Sequence, residues 1–218
     1  MAAAWKHHAA ILSVAFLYAW IGILIKLIGD AIPIMTITFL RFFFGMLTLA
    51  VIVPFIDRHT FLNVRPYLKH YALMGLLLAV HIATFNSAVY FSTVGLTFLL
   101  SASYVVITAV LAYFFLNEHL TFRCLIGLVG VLVLSPFSGG YLLGKALALL
   151  AGLTYAIFLV FLRKDERTHT LGMMFWILLF ACLWLLPFPF LFGVGQLSGY
   201  PLLWMIILGV CCTGIAYL

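Results

Sequence analysis

Arg41 poses the most demanding chemical problem in this sequence. It sits in "TITFLRFFFGML", about eight residues into an apolar run and beyond easy reach of water. A cation at such depth in a membrane costs at least about 2.5 kcal/mol unless it is satisfied. Thr38, Gly45 and Thr48 fall on its helical face, so that face points inward. Its partner is not an obvious carboxylate. Of the five acids, Asp57, Asp165 and Glu166 lie between apolar runs, Glu118 closes one run, and Asp30 closes another. Asp30 stands four residues after Lys26, a spacing that favours a pair between those two. Arg41 must therefore use carbonyls, hydroxyls such as Thr38, water, a substrate, or a group outside these apolar runs. It is either a structural anchor or the positive element of a cavity.

Hydroxyls supply the second candidate set. Thr97, Ser101, Tyr104 and Thr108 are spaced 4, 3 and 4 apart, which places them on one narrow face of a continuous helix. Such hydroxyls either bond to nearby carbonyls and neighbouring helices or line a polar cavity. His81, Thr84, Ala88 and Ser92 share a face of the preceding run, with Asn86 and Tyr90 on another. His81 is either a neutral ring bonded to a neighbouring helix or a proton-responsive, ligand-contacting group. Tyr18 joins these residues as a candidate for a substrate cavity. Glu118, Lys26 and Asp30 read as structural or interfacial.

Catalytic chemistry finds no support. There is no HExxH, no paired aspartates and no nucleophile with a nearby helical base, so no enzyme is expected. Cys124, Cys182, Cys211 and Cys212 fall in apolar runs without CxxC spacing, and His7 and His8 stand beside Lys6 without further ligands. These features imply neither a metal site nor a disulfide frame, and no cofactor is expected.

The elements that position these residues follow from composition. Of the 218 residues, 67% are hydrophobic and 7% charged, against about 25% charged in soluble domains. The solvent of such a chain is lipid, and its net charge of +6 reflects basic residues in links between apolar runs, not a nucleic-acid partner. A helix needs about 20 apolar residues to cross the bilayer. Eight runs qualify or nearly qualify: 9–29, 33–55, 70–92, 95–116, 120–137, 143–162, 171–192 and 201–218. The first is too long for a signal peptide and no A-x-A-like site follows it. Pro33, Pro54, Pro136 and Pro201 sit at the edges of runs, and Pro187 and Pro189 should kink or end the seventh helix. With the N-terminus inside, the inner segments hold Lys6, Arg58, Arg65, Lys69, Arg123, Arg163, Lys164 and Arg167, and the outer links hold Lys145. That asymmetry predicts a cytoplasmic N-terminus.

A repeat is visible. "AFLYAWIGILIK" aligns with "AGLTYAIFLVFL", and "LMGLLLAVHIAT" with "ILGVCCTGIAYL", both at an offset near 135 residues. A charged inner link follows the sixth run where a short outer link follows the first. That inversion is expected of a five-helix unit, because an odd number of spans turns the second copy over. The expected domains are a five-helix repeat over 1–137 and an incomplete three-helix repeat over 138–218.

Several stretches resemble the EamA-type half of the drug/metabolite transporter superfamily. The segment "VHIATFNSAVYFSTVGLTFLLSASYVVITAVLAYFFLNEHLTFRCLIGLVGVLVL" resembles the third to fifth helices of that half, with Glu118 closing the serine-rich fourth helix. "FLRFFFGML" resembles its second-helix arginine, and "GVCCTGIAYL" its eighth-helix G-V-x-x-T-x-x-A-Y-L pattern. Departures are the lack of a mid-helix proline in "SYVVITAV", an early second glycine at Gly130, and no counterpart to the last two helices. The resemblance implies an all-α polytopic bundle, with eight transmembrane helices of an inverted 5+5 repeat around a central cavity. It further implies a secondary transporter exporting amino acids or related small metabolites across the cytoplasmic membrane by alternating access, with the bilayer and a small-molecule substrate as partners and a homodimer as a possible assembly. The competing reading is a truncated or non-transporting membrane scaffold.

Overall fold

The computed structural model describes residues 2–56, 67–116, 142–164 and 171–217. All regular structure among them is helical. Seven helical stretches are long and apolar enough to cross a membrane: Leu12–Ala31, Ile34–Ile56, Leu68–Phe91, Val94–Phe115, Leu142–Arg163, Leu171–Phe192 and Tyr200–Tyr217. They coincide with seven of the eight runs read from the sequence. The remaining run, 120–137, and Glu118 lie outside the described residues.

The chain divides into two compact units, Met1–Val64 with Thr170–Leu218, and Arg65–His169. The first unit holds α1 (Ala2–Ile28), α2 (Ile34–Ile56), and later α7 (Leu171–Leu185), α8 (Pro187–Phe192) and α9 (Tyr200–Gly209). On α1 the buried apolar side chains are Ile21, Leu24, Ile25 and Ile28, the i, i+3, i+4, i+7 stripe of a helix with one protein-facing side. Phe16, Ile23 and Leu27 on the other side are exposed, as lipid contact requires. α9 packs on α1 and on α2, and α2 packs on α7. Gly29, at φ 56°, turns the chain after α1 through a conformation that L-residues with side chains rarely adopt. Pro187 opens α8 at its first turn after α7 stops at Leu185, so the expected break at the proline pair is present. Lys26 and Asp30 are both exposed, in the last turn of α1 and the 3₁₀ turn after it.

The second unit holds α3 (Leu68–Phe91), α4 (Val94–Ser101), α5 (Tyr104–Leu116) and α6 (Leu142–Lys164). α6 packs against all three of the others. It does so through a stripe of small residues at Gly144, Ala148, Gly152 and Ala156, a spacing of four that lets helix backbones approach closely in lipid. A Cβ on Gly144 would stand 2.8 Å from Ser92 Cβ, and one on Gly152 would stand 2.6 Å from Ser103 Oγ.

One expectation is corrected here. The run 95–116 is not a single continuous helix, because Ala102 and Ser103 interrupt it. Ser103 N–H donates to Leu100 O (3.1 Å) and Val105 N–H to Ala102 O (3.1 Å), so three-residue reaches replace the α-helical four. Local chemistry favours the interruption. Thr97 Oγ1 donates back to Thr93 O (3.0 Å) and Ser101 Oγ to Thr97 O. Hydroxyls bonded to carbonyls four residues back compete with the backbone ladder and bend helices. Gly152 then gives the bent backbone room on the α6 side.

Candidate functional site

Each unit contains one concentration of polar side chains within a membrane span. In the first unit it is built on Arg41, which is 2% exposed. Its Nε donates to Thr213 Oγ1 at 2.9 Å. Thr213 belongs to a wide π turn, Val210–Gly214, that follows α9, and its hydroxyl donates to Leu208 O, five residues back, at 3.2 Å. The π turn therefore orients the hydroxyl: its hydrogen goes to its own helix and its lone pair faces the guanidinium. Single-turn π bulges of this kind occur frequently at functional sites.

The approach that brings these groups together depends on glycine. A Cβ on Gly209 would collide with Phe44 Cβ and stand 3.1 Å from Arg41 O. One on Gly45 would stand 2.9 Å from Thr213 Cγ2, and one on Gly214 2.6 Å from Thr48 Cβ. Thr38 and Thr48 direct their hydroxyls to Ile34 O and Phe44 O, both 2.9 Å. Tyr18, Tyr217 and Cys212 are electrostatic neighbours of the guanidinium. Among the described residues the only carboxylate side chain is Asp30, exposed in the turn after α1. Arg41 thus carries its charge among hydroxyls and a thiol.

In the second unit the polar set centres on His81 and α6. The His81 ring lies 4.5 Å from the Tyr155 ring at 21°, a stacked pair, and Tyr104 meets Tyr155 edge-on at 4.9 Å. His81 Nδ1 is 2.9 Å from Ala151 O. A carbonyl only accepts, so Nδ1 carries the hydrogen. Asn86 and Thr97 are fully buried and Ser101 nearly so, the last two bonded within their own helix as described. Thr108 Oγ1 and Ser103 Oγ are buried without a hydrogen-bond partner.

The residues picked from the sequence are found in both units. Arg41 and Tyr18 come together in the first unit. His81 and Tyr104 meet through Tyr155 in the second, where Asn86, Thr97, Ser101 and Thr108 also lie. Thr97 and Ser101 stand on α4 and Tyr104 and Thr108 on α5, on either side of the break at 102–103, and not on the one continuous helix expected. Sequence reasoning did not select Thr213, Tyr217, Tyr155 or Ser103 as site residues. Thr213 and Tyr217 were visible as the T and Y of "GVCCTGIAYL". Tyr155 stands in "AGLTYAIFLVFL", the segment that aligns with the one holding Tyr18.

Comparison with known proteins identifies the class. The EamA-like transporter family model matches residues 5–134, and the chain belongs to that family. It is a membrane transporter of small molecules. Sixteen solved chains match it in structure. One, described as a crystal structure of a protein, superposes with a TM-score of 0.72 at 18% identity, over 96% of this chain and 75% of its own. No curated protein matches the chain.

Proposed function

We propose that this protein exports amino acids or related small metabolites across the cytoplasmic membrane by alternating access, with its N-terminus in the cytoplasm. The observation that carries the reading is the mid-span Arg41 held by Thr213. A guanidinium has five N–H donors in a fixed fork that matches a carboxylate, and one of them is committed to Thr213. A group with a carboxylate, as in an amino acid, has the charge and planar shape that a guanidinium recognises. The lack of an interior acid in the described spans also favours exchange or facilitated diffusion over a carboxylate proton relay.

Helix pairing supports the inverted repeat over 1–137 and 138–218. The proposed exchange relates α1 to α6, α2 to the α7–α8 span, and α3 to α9. Under it the α3–α6 contact becomes the α9–α1 contact, and the α2–α7 contact maps onto itself. All three contacts occur. Rocking of two such repeats about a midplane site is the expected transport cycle.

The test is efflux from proteoliposomes preloaded with a mixture of the proteinogenic amino acids, read by mass spectrometry. Arg41→Ala should lower efflux by about tenfold or more, since a hydrogen bond to a charged group is worth about 1.5–3 kcal/mol. Tyr104→Ala should lower it while expression is retained. Unchanged efflux in both variants would remove these residues from the substrate path. No efflux of any component from the intact protein would favour the scaffold reading.

A further inference from the structure

We propose that the helix break between α4 and α5 is a binding site for one water molecule, held by Ser101 O, Ser103 Oγ and Tyr104 N–H against Gly152 of α6. Three polar groups gather at one point there. The position that a Cβ on Gly152 would take is 2.6 Å from Ser103 Oγ, 2.9 Å from Ser101 O and 3.4 Å from Tyr104 N. Because residue 152 is glycine, the three face a helix surface that carries no side chain at that position. The break lies at mid-depth. It is about 12 Å from the start of the span Val94–Phe115 and about 20 Å from its end, at 1.5 Å per residue.

The backbone bonds that join α4 to α5 satisfy none of the three groups. Those bonds run from the N–H groups of Ala102, Ser103, Val105, Val106 and Ile107 to the carbonyls of Phe98, Leu100, Ala102 and Ser103. In a regular helix Ser101 O would accept from Val105 N–H, which goes to Ala102 O instead. Tyr104 N–H would donate to Leu100 O, which receives Ser103 N–H. Ser103 is 6% exposed, and its Oγ has no hydrogen-bond partner among the described residues. Leaving such groups unpaired inside a membrane span is costly.

The chemistry of the three groups identifies the ligand. Ser101 O accepts, Tyr104 N–H donates, and the Ser103 hydroxyl does either. A water molecule offers two hydrogens and two lone pairs, so it matches all three, and about three bonds is the usual complement of a buried water. A metal ion is a poorer match, because hard cations are held by oxygens and one of these groups is an N–H. Water inserted into the i→i−4 ladder is a recognised cause of sharp helix bends. Ordered water also re-satisfies backbone groups freed inside membrane helices. The water therefore completes the ladder that Ala102 and Ser103 interrupt. The site requires no substrate and stands independently of the export reading.

The experiment uses the full chain in liposomes, deuterated at carbon, with protonated amides and ¹⁵N-labelled tyrosine. Magnetisation transfer from water to amide is recorded by proton-detected solid-state NMR. The Tyr104 and Tyr155 amides are identified by their absence in Tyr104→Phe and Tyr155→Phe. Tyr155 N–H lies inside the regular helix α6 and serves as the dry reference. Tyr104 N–H is expected to receive water magnetisation severalfold faster than Tyr155 N–H, and Ser103→Ala should reduce that transfer. Thermal unfolding of Ser103→Ala gives a second readout, decided by its sign. With water bound, the variant loses one of the groups that hold it and should melt about 2–4 °C below the wild type, the shift for the net worth of one hydrogen bond in a chain of this size. In a dry break, the variant sheds an unsatisfied hydroxyl and should melt higher. A Tyr104 N–H as dry as that of Tyr155, transfer unchanged in Ser103→Ala, or a melting temperature that does not fall overturns the proposal. Neither readout needs a transported solute, so absent efflux would sink the export reading alone.

Discussion

At the scale of single residues, the Arg41–Thr213 pair shows how this chain carries a cation in a membrane span. The neutral acceptor screens the charge without cancelling it, which an acid would do. The pair also links residues 172 positions apart. Two variants separate anchoring from substrate recognition. Thr213→Val keeps the shape and removes the acceptor, and should destabilise the protein by about 1.5–3 kcal/mol in thermal unfolding. Arg41→Met removes the charge together with its demand for an acceptor. Since replacing both partners by apolar groups is close to neutral, the double variant Arg41→Met, Thr213→Val should unfold no earlier than Thr213→Val alone, yet remain inactive in efflux. A double variant with wild-type efflux would show that the pair serves stability only.

At the scale of elements, glycines set the distances. Gly209 and Gly152 occupy positions where an added Cβ meets neighbouring atoms, whereas one on Gly95 would meet nothing within 4 Å. Gly209→Ala should therefore cost about 1–3 kcal/mol through overpacking. Gly95→Ala should be neutral or gain up to about 1 kcal/mol from helix propensity. Melting temperatures in one detergent decide the matter, and equal shifts for both variants would refute the close approach.

The same elements show what the sequence could reveal. Apolar length marks a span because lipid allows little else, so seven runs were legible as helices. Arg41 was legible as a buried cation with an inward face, since Thr38, Gly45 and Thr48 stand at helical spacing around it. Its acceptor was not, because Thr213 comes from another helix and is turned into place by a π turn that no local residue type announces. The break at 102–103 was hidden for a similar reason. No proline or glycine marks it, and Gly152, which accommodates it, lies some fifty positions away on α6. The expected ladder of four hydroxyls assumed an ideal helix, and two of those hydroxyls helped to bend it.

At the scale of the whole molecule, charge and pairing point the same way. Unlike charges at the two ends of each span are not needed to orient a membrane protein; an excess of Lys and Arg on one side is enough. Here eight basic residues fall on one proposed side and Lys145 alone on the other. Arg163, at the end of α6, and Gln196, in the link between α8 and α9, are both exposed and belong to opposite sides in that arrangement. Seven spans alone do not decide this, because the assignment of each link depends on 120–137 also crossing. If it crosses, Arg163 is cytoplasmic and Gln196 external. If it does not, the number of crossings before α6 changes by one and both later positions exchange sides relative to the N-terminus. Single cysteines at these two positions, in a background lacking the four native ones, therefore test orientation and the fifth crossing together. An impermeant maleimide added to intact cells should label Gln196→Cys and leave Arg163→Cys unlabelled until lysis. The reverse pattern, with the N-terminus still cytoplasmic, would mean that the chain re-enters the membrane between α5 and α6 without crossing it, and the inverted repeat would fall with it.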